Sequence, residues 1–487
     1  AGPIPFTSVW DSPETDYTLG IAWGDYDGDG DLDLAVANDG PNRVYTNNSG
    51  ALALAWSSPE MELTEEVAWG DVDGDGDLDL ACANSGPPDR LYRNDGGTFV
   101  PIWTSAESGY SQDLAWGDYD NDGDLDLVVA VRWADGGGMR GVRLYENDGT
   151  TLSGTAVWQI AGLTAYSVAW GDWDNDGDLD LAVGNANGEH NFVYENVGGY
   201  LHPVPAWLSD EADSTSCVAW ADVDNDGDLD LAAGSFGYDR LYENLGATLS
   251  SSAVWSSAES AATTSLAWGD WDGDGDLDLL AGAAIYPTGT PNRLYENRDG
   301  VLSSVAGWEF AAADETHGVA WADVDGDGDL DLVTGNGFPS PQPLRLYLNG
   351  RISAPRLVNN PTYASVDKPG ASDSAFFYHA AEVLTSPLIT VTYRLFDAES
   401  DPVHRLEVYY STDGGGRWEP AVPGGGDGLA DLSTSPGGSS HVFVWNAGVD
   451  GVFSDNVVLR FVPFANPDRT GLIQWPPFGA RSVPFRM

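Results

Sequence analysis

Lysine is almost missing from this 487-residue chain. Lys368 is the sole example, and 20 basic residues stand against 77 Asp and Glu, for a formal net charge of −57. Phosphate recognition needs clustered cations, so the deficit argues against a nucleic-acid partner. The same deficit argues against docking on an anionic membrane surface. No apolar run approaches the roughly 20 residues of a bilayer span. No charged-then-apolar leader opens the chain, so the expectation is a mature, secreted or cell-surface form without a membrane span. Cysteine is scarce too. Cys82 and Cys217 fall at different positions of different repeats and read as buried small hydrophobes, not as a disulfide or a metal pair. A sustained 3.6-residue apolar period is also lacking, which predicts almost no helix.

The remaining composition is that of a folded protein. Hydrophobic residues make up 42% and aromatics 11%, too much for a disordered acidic chain. The length implies two or three domains.

A repeat dominates the first two thirds. The segment Ala22-Trp-Gly-Asp-Tyr-Asp-Gly-Asp-Gly-Asp-Leu-Asp-Leu34 recurs seven times, with its first Asp at 25, 71, 118, 172, 222, 270 and 323. The spacings of 46, 47, 54, 50, 48 and 53 residues suit one four-stranded propeller blade each. A first strand ends in Ala-Trp, as at Trp23 and Trp69. The Asp loop follows as a turn, then a strand such as Asp33 to Ala37. A third strand reads Arg-Leu-Tyr-Glu-Asn, as at Arg143 to Asn147. A fourth is expected to end at an outer Trp: Trp56, Trp103, Trp158, Trp207, Trp255 and Trp308. These segments are rich in Val, Leu, Tyr and Trp and bounded by Gly, Asn, Asp and Pro. The seventh repeat lacks an outer strand, whereas Phe6-Thr-Ser-Val-Trp10 is an orphan one. Closing the last blade with it would leave no open sheet edge. Fourteen of the 20 Trp sit at the two repeated positions and read as blade-packing core.

The Asp loops carry the chemistry. Calcium takes six to eight oxygen ligands in flexible geometry. Carboxylates at loop positions 1, 3 and 5 can converge on one point when the chain turns at Gly30, in position 6. Position 7 offers its backbone carbonyl and position 9 a last carboxylate, while Leu32 at position 8 anchors the loop to the core. The candidate ligands are Asp25, Asp27, Asp29, Asp31 and Asp33 in the first loop and Asp71, Asp73, Asp75, Asp77 and Asp79 in the second. Asp118, Asp120, Asp122, Asp124 and Asp126 form the third set, and Asp172, Asp174, Asp176, Asp178 and Asp180 the fourth. Asp222, Asp224, Asp226, Asp228 and Asp230 form the fifth, and Asp270, Asp272, Asp274, Asp276 and Asp278 the sixth. Asp323, Asp325, Asp327, Asp329 and Asp331 complete the seven. Position 4 is Gly or Asn throughout. Magnesium demands tighter octahedral geometry, and zinc would want Cys or His beside the loops. About seven calcium ions are therefore expected, and with them a calcium-dependent fold.

These loops, each followed by a Leu-Ala-Val-Gly-Asn-like strand, resemble the FG-GAP/VCBS repeats of integrin-α-type propellers. The resemblance covers residues 1 to about 352. It implies a seven-bladed β-propeller whose loop aspartates bind calcium. Members of that family include adhesion receptors, lectins and some carbohydrate-active or lipid-cleaving enzymes, so it implies fold and metal more strongly than activity. EF-hand and dockerin proteins place helices beside such loops. Thrombospondin type 3 repeats use shorter spacing and many cysteines. Neither pattern is present.

From about residue 353 to 487 the repeat gives way to alternating segments: 387–396, 406–411, 441–445, 457–462 and a final 482–487. With their Gly-rich turns they predict a small β-sandwich. The stretch Tyr410-Ser-Thr-Asp-Gly-Gly-Gly-Arg-Trp418 is similar to fibronectin-III-like or immunoglobulin-like modules of bacterial surface proteins. The whole is expected to be all-β.

No metalloprotease motif, Gly-x-Ser-x-Gly elbow or phosphate loop appears, so a binding protein is expected and no catalytic residue is assigned. Loops joining second and third strands face away from the Asp loops and vary most. On a rigid scaffold that is where binding residues sit. Trp133, Arg140, His190, Tyr238, Tyr286 and Phe338 are the candidates for a glycan or protein ligand. The function expected is calcium-stabilised adhesion or recognition. A polysaccharide lyase or hydrolase, and a self-assembling subunit of a surface filament or layer, are the alternatives.

Overall fold

The computed structural model describes residues 6–349 apart from 30, 49, 134–139, 247, 273–275, 285–290, 299, 311–314, 326–329 and 338–340. Beyond these it describes 363–366, 389–396, 403–411, 419–426, 428–432, 439–450, 458–464 and 480–481. Its contacts divide into two units, Ala1–Asp174 with Asp178–Arg351, and Ile352–Met487 with Asn175–Gly177. Among the described residues the structure is strand and turn, with one four-residue helix at Ala447–Asp450.

Each repeat of the first unit is an antiparallel meander. In the first, Thr18–Gly24 pairs with Asp33–Gly40, which pairs with Arg43–Asn48, which pairs with Ala51–Ser57. The second strands are flanked by protein on both faces. Asp180–Asn185, Asp278–Ala283 and Asp331–Asn336 are buried at every residue, which is why they read as near-continuous Leu, Ala, Val and Gly instead of alternating.

Two tryptophan positions join the repeats. The inner Trp lies on the residue that precedes the previous Asp loop. A Cβ at Gly24 would stand 2.6 Å from Trp69, and one at Gly171 would stand 2.8 Å from Trp220. The ring nitrogens of Trp69 and Trp220 donate to the carbonyls of Ala22 and Ala169, both at 3.2 Å. The outer Trp meets the third-strand Tyr of the next repeat edge-on. The pairs Trp10–Tyr45, Trp56–Tyr92, Trp103–Tyr145, Trp158–Tyr194, Trp207–Tyr242 and Trp255–Tyr295 have centroids 5.0–5.7 Å apart. Such edge-to-face pairs add about 0.5–1.5 kcal/mol each beyond buried area.

The two ends of the array meet. Phe6–Asp11 pairs antiparallel with Arg345–Asn349, placing Phe6 opposite Asn349 and Asp11 opposite Arg345. Thr18–Gly24, the first strand of the first repeat, touches both Glu62–Gly70 of the second and Thr316–Ala322 of the seventh.

The outer strands differ from the sequence expectation. In the third to sixth repeats they do not end at the Trp but begin there, as at Trp158–Ala161 and Trp255–Ser256. In the third to fifth repeats the chain before the Trp makes only a bridge, such as Asn147 to Leu152 or Asn244 to Leu249, and in the sixth a two-residue pairing of Asn297–Arg298 with Val301–Leu302. In the third and fifth repeats the cause is a serine. Ser153 Oγ takes the N–H of Glu146, and Ser250 Oγ takes that of Glu243, so a side chain replaces the ladder bond and the strand breaks. Both cysteines are free thiols. Cys82 is fully buried and Cys217 half-buried.

In the second unit Tyr363–Val366, Ile389–Phe396, Ser439–Trp445 and Pro423–Gly426 form one sheet. Val403–Ser411 and Val458–Phe464 centre another. Tyr410 of the second sheet packs on Trp445 of the first, with centroids 5.0 Å apart, and Trp445 is fully buried. The expected final strand at 482–487 lies outside the described residues, as does most of the glycine-rich turn, 412–418.

Candidate metal centres

The Asp loops are wound by their own carboxylates. In the second loop Asp71, in position 1, accepts the N–H groups of Asp75 and Gly76 at 3.1 and 3.0 Å. Asp75, in position 5, accepts that of Asp77 at 3.0 Å. Asp79, in position 9, accepts Val72 N–H at 2.9 Å and Asn94 N–H at 2.8 Å. The third loop repeats the pattern through Asp118, Asp122 and Asp126. The first-position and ninth-position aspartates are thereby fixed at the two ends of the turn.

The turn needs two left-handed residues. Position 6 is one, with φ of 97° at Gly76 and 106° at Gly123. Position 4 is the other, with φ of 73° at Gly28, 61° at Asn121 and 60° at Asn225. Gly and Asn are the residues that enter this region at least cost, which accounts for their alternation there.

Carboxylate oxygens gather as a result. One atom from each of Asp25, Asp27 and Asp29 lies within 4.8 Å of the others. The same holds for Asp71, Asp73 and Asp79, for Asp118, Asp120 and Asp122, for Asp172, Asp174 and Asp180, and for Asp222, Asp224 and Asp226. Asp274, Asp327 and Asp329 lie outside the described residues. Burial and the neighbouring position-5 charge push the third-position carboxyls up, at Asp27, Asp73, Asp120 and Asp224. Burial raises the ninth-position carboxyls further, to about 7 at Asp79 and about 8 at Asp126 and Asp180, against the pull of their N–H donors. Asp73 Oδ1 is buried with no hydrogen-bond partner. A hard divalent cation suits this oxygen-only set, which holds neither Cys nor His, and it would supply the missing counter-charge.

A residue absent from the candidate ligands connects the loops. The Asn that closes each third strand gives its backbone N–H to the ninth-position Asp of its own repeat: Asn47 to Asp33, Asn94 to Asp79, Asn147 to Asp126, Asn196 to Asp180, Asn244 to Asp230, Asn297 to Asp278 and Asn349 to Asp331, at 2.7–2.8 Å. Its Nδ2 donates to the second-position carbonyl of the preceding loop. Asn94 reaches Tyr26, Asn147 reaches Val72, and Asn244 reaches Trp173, at 2.6–2.7 Å. Asn47 reaches Val324 of the seventh repeat at 3.0 Å, completing the circuit. The Leu-Tyr-x-Asn periodicity was visible as strand grammar. Its bond to another repeat was not.

On the opposite ends of the strands, Trp133 and Tyr238 are exposed, at 59% and 46%, and the Arg240 guanidinium lies 5.8 Å from the centre of the Tyr238 ring. Arg140 is exposed and donates to Thr164 Oγ1 at 3.1 Å. His190 is tied down, with Nδ1 2.6 Å from the Ser209 carbonyl, so it holds its loop. Tyr286 and Phe338 lie outside the described residues. Sequence reasoning passed over Arg132, whose Nη1 donates to Tyr166 Oη at 2.7 Å across two repeats. No helix among the described residues is long and apolar enough to cross a membrane.

Comparison with known proteins agrees with this architecture. The family described as FG-GAP-like repeat matches residues 25–82, 71–129, 130–183, 172–233, 222–281 and 283–334. No curated protein matches the chain. Among solved structures, BBS1N in complex with ARL6DN, from a lead-soaked crystal, is 15% identical. The match covers 72% of this chain and 98% of that one, with a TM-score of 0.50. A chain of the mitotic checkpoint complex is 16% identical over 71% of this chain and 95% of its own, with a TM-score of 0.49. At such identities the likeness concerns fold alone. The repeats form an FG-GAP-type β-propeller.

Proposed function

Because the chain belongs to the family of FG-GAP-like repeats, we propose that it is a calcium-stabilised recognition module working outside the cell, a binding protein and not an enzyme. In this reading the propeller has seven blades, closed by the Phe6–Asp11 strand, and residues 353–487 form an immunoglobulin-like or fibronectin-III-like sandwich. The contact between Tyr410 and Trp445, which joins the two sheets of that unit, supports the sandwich.

The observation that carries the reading is the set of pre-wound oxygen clusters, repeated in register. Asp residues in positions 1, 3, 5 and 9 would hold calcium, with the position-7 carbonyl. The ion supplies charge that offsets the mutual repulsion of buried carboxylates. At free calcium about tenfold above the dissociation constant, each site adds roughly 1.4 kcal/mol of stability. Seven sites contribute on the order of 10 kcal/mol, as much as a whole domain's stability. Extracellular modules hold calcium at about 0.1–1 mM, which fits a secreted protein. The scaffold then presents Trp133, Tyr238 and Arg140 on the loops facing away from the metal, where exposed aromatic rings suit a sugar ring or a protein surface.

Thermal unfolding in millimolar calcium, with chelator and with magnesium, tests the metal. The melting temperature should fall sharply in chelator and be poorly restored by magnesium; an unchanged curve refutes the calcium role. Retention on glycan and protein arrays tests the recognition face. Binding in calcium that is lost in Trp133→Ala and Tyr238→Ala supports it, and binding that survives both places the ligand elsewhere.

A further inference from the structure

Each first strand holds one residue that its ladder leaves out. The pairing with the second strand passes from Thr64 to Glu66 and skips Glu65. It skips Gln112, Tyr166 and His317 in the same way in the third, fourth and seventh repeats. In the others the skipped residues are Leu19, Ser216 and Thr264. All lie six positions before the first Asp of their loop, at the strand end away from the candidate metal centres. All are half-buried, whereas the residue before each is buried. A β-bulge re-aims the side chain of its extra residue. The first strands touch one another from repeat to repeat, and the seventh touches the first, so the re-aimed side chains gather around one axis. They meet across repeat boundaries: Gln112 bonds the Glu65 carboxylate, Ser216 Oγ donates to the Thr263 carbonyl, and Thr264 Oγ1 donates to the Thr316 carbonyl at 2.7 Å.

The two sides of this ring differ. Ser216 and Thr264 spend their hydroxyls on backbone carbonyls, which closes their side. The other side keeps bonding capacity. His317 Nε2 is buried and has no hydrogen-bond partner among the described residues, and burial pushes the imidazole down to about 4, so the ring is neutral. Arg132 Nη1 donates to Tyr166 Oη at 2.7 Å, with the guanidinium 5.3 Å from the ring centre; the phenol keeps its own proton to donate. Burial pushes the Glu65 carboxyl up, against bonds from Ser85 and Gln112 and the charge of Arg132. We propose that Glu65, Gln112, Arg132, Tyr166 and His317 bind one neutral sugar residue at the axis of the propeller. The inference rests on the recognition reading above and gives it a ligand class and a place. Carboxylate accepts, guanidinium donates, and amide, phenol and neutral imidazole do both, which matches a ring whose every hydroxyl donates and accepts. An apolar ligand would leave these groups desolvated and unmet. An anionic one would face Glu65 and a chain of net charge −57, and Arg132 beside Glu65 offsets the pull on a cation.

Saturation-transfer NMR of the full chain in millimolar calcium, against methyl glycosides of neutral hexoses, 6-deoxyhexoses and pentoses, tests the site, and calorimetry gives the Kd of those that bind. At least one neutral glycoside should bind, and methyl glucuronide should bind about tenfold more weakly or not at all. Tyr166→Phe and Glu65→Gln each change one hydrogen-bonding group with little change of shape and should weaken binding about tenfold. Val254→Ala, at an outer position 52% exposed, should leave it unchanged. His317 gives a readout on the native chain: its Nε2 resonance should move as the glycoside is added. A bound glycoside that leaves that resonance and both variant affinities unchanged lies elsewhere and overturns the axial site. No glycoside binding, with array retention that is lost in Trp133→Ala and Tyr238→Ala, overturns the axial site and leaves recognition at the exposed loops. No ligand on any array overturns the recognition reading and the axial site together.

Discussion

Replacing Phe6 with alanine should destabilise the first unit by about 3–5 kcal/mol, the range for large aromatic deletions in cores. Phe6 is 5% exposed. Its ring centre lies 5.8 Å from Trp271, 5.0 Å from Trp308, 5.8 Å from Phe310 and 5.8 Å from Trp321. Leu280, Leu294, Val319, Leu332 and Tyr347 complete the cluster. All these partners belong to the sixth and seventh repeats, so the ring is a plug between two blades supplied by the opposite end of the chain. Tryptophans held in a rigid sheet cannot collapse into the gap, which places the expected cost toward the upper end of that range. The strand would also lose its only deeply buried side chain, because its other described residues are exposed or half-buried. Urea unfolding at fixed calcium, followed by tryptophan fluorescence, reads the first transition midpoint. Val9→Ala is the control, since Val9 sits on the same strand at 50% exposure and should shift stability by no more than about 0.5 kcal/mol. Equal, small shifts in the two variants would mean that the N-terminal strand does not close the ring.

Asn147→Ala removes the 2.7 Å bond to the Val72 carbonyl and leaves a buried acceptor unmet, at a cost of about 1–3 kcal/mol; faster amide exchange along the seam between the second and third repeats would register it. Asp239 is buried at 1% exposure, and burial pushes its carboxyl up to about 6 in spite of the Thr263 hydroxyl and the Ser235 N–H. The folded state therefore holds a proton there that the unfolded chain, titrating near 3.8, has released. Relative to Asp239→Asn, native stability should fall as pH rises from about 4 to about 6 and stay level above. Unfolding midpoints of both proteins at four pH values check the sign, and a rise through that window would contradict it.

Much of the first unit was written locally. A turn made of alternating aspartates needs residues that tolerate positive φ, and Gly or Asn stands at positions 4 and 6 of every copy. Strands flanked by protein on both faces need small and apolar residues, and a run that opens on Leu and ends on Ala or Gly follows each loop, as in Leu34 to Ala37 and Leu181 to Gly184. Position 4 is as demanding of the backbone as position 6, with positive φ at Gly28 and Asn121, although the sequence pattern points most directly to the invariant Gly of position 6. The breaks in the outer strands of the third and fifth repeats are not legible in the sequence, because Ser153 and Ser250 look like ordinary strand residues until their backbone donors, the N–H groups of Glu146 and Glu243, are known. His190 looked like a ligand candidate because nothing in its neighbourhood reveals that the Ser209 carbonyl, nineteen residues on, lies at 2.6 Å.

The sequence by itself determined the β architecture, the repeat and its period, and the places where aspartates cluster in each turn, because each depends on residues within a few positions of one another. Only the tertiary structure decided how the repeats are joined. The reach of Asn47 to Val324, the burial of Phe6 among rings some 300 residues away, and the bridge from Asn121 to Asp178 all depend on the rotation between successive sheets. That rotation comes from many packing contacts summed over each interface, and no single stretch of chain encodes it.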